Sequence, residues 1–154
     1  MMHRHALVWS LLSLAALSAQ AATFTVTSTA ASGAGSLADA ITQANNAAGA
    51  DTIQFGIAGT GVKILSVPSS GYPTVTEALT INGYTQTGAV QNSAASGSTN
   101  AVLRIELNSS AMNANDSVLR LSAPTAVRGL AINNLPTGVT GIRGLKLEAL
   151  THES

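Results

Sequence analysis

An all-β fold of short strands is predicted by three features of this 154-residue chain. Beyond residue 51 the sequence breaks into short β-prone runs separated by Gly, Ser, Asn and Pro. Ser, Thr, Gly and Asn together fill 58 of the 154 positions, so small uncharged side chains dominate the surface and turns. Aromatic residues are 3% and charged residues 9%, the latter well under the roughly 25% of an ordinary globular domain. Many short strands with Gly/Asn turns fit a sandwich, a barrel or a solenoid. The scarcity of aromatics favours the solenoid. In a parallel β-helix aliphatic side chains stack inward, and Asn, Ser and Thr take the corners.

The first segment reads as an address. Arg4 lies in a short basic start, residues 6–17 are almost wholly apolar, and Ala19-Gln20-Ala21 forms an A-x-A cleavage pattern. The apolar run is too short for a membrane span of roughly 20 residues. Cleavage after Ala21 is therefore expected, leaving residues 22–154 as an exported chain; an uncleaved N-terminal anchor is the alternative. Two of the three histidines, His3 and His5, and the single tryptophan, Trp9, leave with the signal.

Residues 24–27 alternate apolar and polar as a strand does. Residues 30–35 are small and Gly-rich, a turn. Ser36 then suits an N-cap, with Asp39 three positions on in a box-like arrangement at the positive end of a helix. Leu37, Ala40, Ile41 and Ala44 fall at i, i+3, i+4 and i+7, and Asn45, Asn46 and Gly49 supply the stop. So short a helix needs a surface to lie on, and it reads as a lid.

Further strands are predicted near 52–55, 62–65, 78–82, 101–107, 117–121, 127–133 and 141–147. Leu103, Ile105 and Leu107 share a face opposite Arg104 and Glu106; Leu119 and Leu121 flank an outward Arg120; Leu145 and Leu147 flank an outward Lys146. Val127 and Leu130 have opposite parity, which places a bulge or corner at Gly129. Residues 88–100 show no periodicity and form a surface loop. Residues 127–132 and 142–147 echo each other at an offset of 15, which is short for one coil.

Two stretches carry a family likeness. Residues 24–29, 35–41, Asn45 and 49–55 resemble the CSLREA-type N-terminal motif of bacterial exported proteins, and Leu79-Thr80-Ile81-Asn82-Gly83-Tyr84-Thr85-Gln86-Thr87-Gly88 resembles the segment that follows it. Ile105-Glu106-Leu107-Asn108 and residues 127–133 are similar to its later rungs. The resemblance covers roughly residues 23–143 and implies a right-handed parallel β-helix whose end is capped by an N-terminal strand and helix. It divides the chain into a signal peptide (1–21), a strand–helix–strand cap (22–57) and the first, incomplete coils (58–154). Gly35 stands where the name-giving Cys can be, Ala38 where Arg is usual, and Thr87 where Pro is common. Solenoids need about three or more repeats and caps, so the chain is expected to be an N-terminal segment or a truncated reading frame.

The chemistry is sparse. No cysteine excludes a disulfide framework and thiolate sites. Seven basic and seven acidic groups, with no basic cluster, argue against nucleic acid or an anionic membrane as partner. No catalytic or phosphate-binding motif is present. Gly33-Ala34-Gly35 before the helix lacks a third spaced glycine and reads as a turn. His152 lies in the tail and cannot serve a Ser-His-Asp triad. Asn113, Asn115 and Asp116 offer calcium one carboxylate, short of the usual oxygen cage, and read as a solvated turn. Two Asn-x-Ser sequons, at Asn108 and Asn115, matter only in a eukaryotic host. No catalytic, cofactor-binding or metal-binding residue is therefore assigned, and no cofactor.

The reading is an exported bacterial surface or secreted β-helix protein, adhesin-like or structural, with glycans or cell-surface components as the partner class. The alternative is an N-terminal fragment of a carbohydrate-active β-helix enzyme. Arg104, Glu106, Arg120, Arg128 and Lys146 are the outward charges from which such a site would draw; otherwise they serve as surface ladders and edge guards.

Overall fold

A computed structural model describes residues 19–138 and 140–147. The apolar run at 6–17 and the tail holding His152 lie outside them. Nine strands and one α-helix are present among the described residues: β1 (Thr23–Val26), α1 (Leu37–Asn46), β2 (Asp51–Phe55), β3 (Lys63–Ser66), β4 (Leu79–Asn82), β5 (Ile105–Asn108), β6 (Ser117–Leu121), β7 (Thr125–Arg128), β8 (Leu130–Asn133) and β9 (Arg143–Leu147). A short 3-10 turn, Gly83–Thr85, follows β4.

The strands form three sheets, every pairing parallel: β1-β2-β4-β7, β3-β5-β8 and β6-β9. After α1 the chain visits them in a fixed order. It passes from the first sheet to the second to the third and back, and Val75 makes an early parallel bridge to Leu121 of the third. Strands adjacent in space are therefore far apart in sequence. Asp51 aligns with Leu79 and Leu79 with Thr125; the second interval is the longer because an arm, residues 83–104, is inserted between β4 and β5.

Register stacks like on like. Phe24, Ile53, Ile81 and Val127 form one inward row of the first sheet, and Leu65, Leu107 and Ile132 one of the second. These rows and the buried face of α1 belong to one hydrophobic cluster, in which each fully buried aliphatic side chain contributes roughly 1.5–3 kcal/mol. The core thins along the stack. Ile53 and Ile81 are fully buried, Val127 is half-buried, and Leu145 is exposed although it sits in register with buried Leu119. The strand parity predicted around Lys146 is right, but β9 has no described strand beyond it to complete its burial.

The helix follows its sequence signals. Ser36 Oγ accepts from the Asp39 amide at 3.2 Å, and the Asp39 carboxylate accepts from the Gly35 amide at 3.1 Å. Leu37, Ala40, Ile41 and Ala44 are the four buried residues. Asn45 then ties the helix to the chain beyond β3: its Nδ2 donates to the Thr74 carbonyl at 2.8 Å, and its Oδ1 accepts from the Thr76 amide at 2.9 Å.

Two predicted strands are corrected. The run 127–133 divides at Gly129, with β7 in the first sheet and β8 in the second. Gly129 has φ +72, and a Cβ there would lie 2.6 Å from the Tyr84 amide nitrogen, so the corner requires glycine. The run 101–107 is shorter than predicted, because Val102 exchanges antiparallel backbone bonds with Val90 at the base of the arm and strand β5 begins only at Ile105. Leu103 is consequently exposed rather than part of the inward face.

Candidate functional site

The outward charges do not gather. Glu106 lies on the second sheet, between Ile64 and Ala131 in register. Arg104 precedes it and bonds the Gly88 carbonyl at 3.1 Å, tying down the arm. Arg128 lies on the first sheet beside Asn82. Arg120 and Lys146 are neighbours on the third. Arg120 also reaches Asp116 at 3.5 Å, the Thr74 hydroxyl and the Ser70 carbonyl. Glu106, Arg120, Arg128 and Lys146 thus lie across three sheets, with Arg104 just ahead of β5, and the five do not converge on one site.

The 113–116 loop is likewise engaged in structure. Asn115 takes a left-handed φ of +63 and donates its amide to the Thr140 carbonyl at 3.0 Å. Its side chain packs against Gly141, and Asp116 pairs with Arg120. Among the described residues no group of three or more His, Cys, Asp or Glu is placed to hold a metal. No described helix is long and apolar enough to cross a membrane.

Three features escaped the sequence reading. The first is the outer face of the first sheet, where Thr23, Thr52 and Thr80 form one row and Thr25, Gln54 and Asn82 the next, with Gln54 donating to the Thr25 hydroxyl at 2.9 Å. These rows present hydroxyls and amides every ~4.8 Å, and the second ends on the exposed Arg128 of β7. The second is how the arm, a predicted surface loop over 88–100, is knit at its tip by its own side chains. Asn100 Oδ1 accepts from the Ser93 amide at 2.9 Å, and Asn92 Oδ1 from the Asn100 amide at 3.1 Å. Val90 and Val102 stay exposed at its base.

The third is a groove of about 380 Å³ at the N-terminal ends of β2, β4 and β7, lined by Ala50, Asp51, Ala78, Leu79, Pro124 and Thr125 among others. Asp51 is its single ionisable lining residue. It is only 2% exposed, holds the inward position that Leu79 and Thr125 take in the next strands, and accepts from the Ala22 amide through Oδ1 at 2.7 Å. Its Oδ2 is buried and has no hydrogen-bond partner. A single carboxylate, 2% exposed, does not supply the pair of groups that hydrolysis or elimination uses. The alternation of β2 could have flagged this residue, because an aspartate two positions before Ile53 shares its inward face.

Comparisons with protein-family profiles, with curated proteins and with solved structures return no match.

Proposed function

We propose that the chain is an exported, non-catalytic scaffold, the capped beginning of a right-handed parallel β-helix of the CSLREA type, adhesin-like in presenting its outer face to glycans or other cell-surface components. The observation that carries this reading is the invariant order of the three parallel sheets, with aliphatic rows inside and hydroxyl and amide rows outside. That order is what successive coils of a β-helix produce. Repeated uncharged donors and acceptors suit the hydroxyls of a polysaccharide, and the dispersal of the charges supports presentation rather than turnover. The inserted arm is the natural site of specificity, since loops on a rigid scaffold carry recognition.

The test is expression of the full chain in a bacterium, followed by fractionation and by exposure of the purified exported product to a panel of polysaccharides. The expected result is recovery outside the cytoplasm and retention on a glycan, without new reducing ends or unsaturated uronates. Retention is lost when residues 91–101 are replaced by an Asn-Gly turn, while stability changes by less than ~1 kcal/mol, because shortening a surface loop has little effect on the folded core. Cytoplasmic retention or release of sugar products would overturn the proposal.

A further inference from the structure

We infer that cleavage after Ala21 supplies the missing partner of Asp51: the new α-ammonium group of Ala22 becomes the counter-ion of the buried carboxylate. This rests on the export reading above for the position of the cut, and on the structure for its consequence. In the uncleaved chain the Ala22 nitrogen is an amide with one N–H, which Asp51 Oδ1 already accepts at 2.7 Å. The second oxygen is left buried and unpaired, and a buried acceptor without a donor is costly, more so when it is charged.

Hydrolysis of the Ala21–Ala22 bond adds water across the amide. Ala21 leaves as a carboxylate, and the freed Ala22 amine takes up a proton. The nitrogen then carries three donors and a positive charge in place of one N–H, at hydrogen-bond distance from a group that is 2% exposed. One N–H keeps the bond to Oδ1, and Oδ2, on the same carboxyl carbon, draws one of the two further donors.

The surroundings fit a chain that begins here. Residues 19–21 are exposed and belong to no element, Ala22 is half-buried, and β1 starts at Thr23. The backbone of Gln20 and Ala21 runs over Gly49, where a Cβ would come within 3.1 Å of Gln20. Removing residues 19–21 therefore opens room around the new terminus, and none of the three belongs to a strand. The Ala22 carbonyl still accepts from the Thr52 amide at 2.9 Å, which holds the terminus at the start of the first sheet. Processing would thus tighten the fold as well as remove an address.

The experiment uses residues 22–154 made behind a tag whose removal leaves Ala22 as the first residue. It is compared with the same chain acetylated at Ala22, which keeps one N–H and loses the charge, and with a chain retaining Gln20 and Ala21. Each form is also made with Asp51→Asn. The free terminus is expected to melt about 5 °C above the two blocked forms, as a charge-assisted bond predicts, and that difference is expected to vanish in Asp51→Asn. Equal melting of the three N-terminal forms overturns the inference, as does a difference that persists in Asp51→Asn; should that variant not fold, the three-form comparison decides alone. N-terminal sequencing of the exported product tests the position of the cut separately. A different cut site would defeat that part of the export reading without touching the ion pair measured on the chain that starts at Ala22.

Discussion

Gln86→Leu probes how the first two passes of the chain are joined. Gln86 is 2% exposed, and its amide bonds both backbone groups of Ile57: Nε2 donates to the Ile57 carbonyl at 2.8 Å, and Oε1 accepts from the Ile57 amide at 2.9 Å. One residue earlier, the Thr85 hydroxyl accepts from the Phe55 amide at 2.7 Å. The side chains of Thr85 and Gln86 thus continue, at and past the end of β2, the ladder that a neighbouring strand would otherwise supply. Leucine matches glutamine in volume and can bond neither group. Each net hydrogen bond contributes roughly 0.5–1.5 kcal/mol, and an orphaned buried backbone group costs about 1–3 kcal/mol. Allowing for the apolar gain of leucine, the loss comes to about 2–4 kcal/mol. For a domain of this size that is a fall in melting temperature of roughly 10 °C. Thermal and urea unfolding followed by circular dichroism measure it. Gln54→Leu is the control, since Gln54 makes its bond on the outer face and is expected to change stability by less than ~0.5 kcal/mol. Equal, small effects at the two positions would refute the argument that Gln86 holds Ile57.

Two further predictions follow from the backbone and from burial. Gly129→Ala and Gly97→Ala both place a side chain at positive φ, but a Cβ at 129 meets Tyr84 while one at 97 meets nothing. The first is expected to cost more than ~3 kcal/mol and the second about 1 kcal/mol, as the left-handed backbone alone demands; similar losses would contradict the close corner. Tyr72 is fully buried, with its hydroxyl 3.3 Å from the Ser66 carbonyl, and burial holds its phenol well above the usual range. Its contribution to stability is complete below the unfolded tyrosine value of about 10 and declines as the pH rises beyond it. Tyr72→Phe should flatten that alkaline decline in urea midpoints measured against pH, and an unchanged slope would argue against it.

The helix and its cap were legible in the sequence, because periodicity and capping are local. So was the corner at Gly129, through the clash of parity between Val127 and Leu130. The arm was readable only as a loop. Its base depends on Val90 meeting Val102, a pairing that no local signal announces, and this same pairing draws residues 101–104 away from β5. Lys63 shows the same limit. It stands in the inward register beside Ile105, yet it is 8% exposed and donates to the Ala58 and Thr60 carbonyls. An alternating pattern read as apolar or polar gives such a residue no inward place. Asp51, Gln86 and Asn45 draw their roles from partners about 30 residues away, one pass of the chain, and their importance emerges only when the passes are stacked.

The central claim is that segments one pass apart lie in parallel register, and spin labelling tests it most directly. The chain has no native cysteine, so Thr52→Cys with Ala126→Cys introduces a single labelled pair on the outer face of the first sheet. Thr80 stands between the two positions in register, which puts their backbones two strand spacings, roughly 10 Å, apart. The account predicts strong dipolar broadening in the native chain that disappears on unfolding in urea. A native spectrum no broader than the sum of the two singly labelled chains would contradict it.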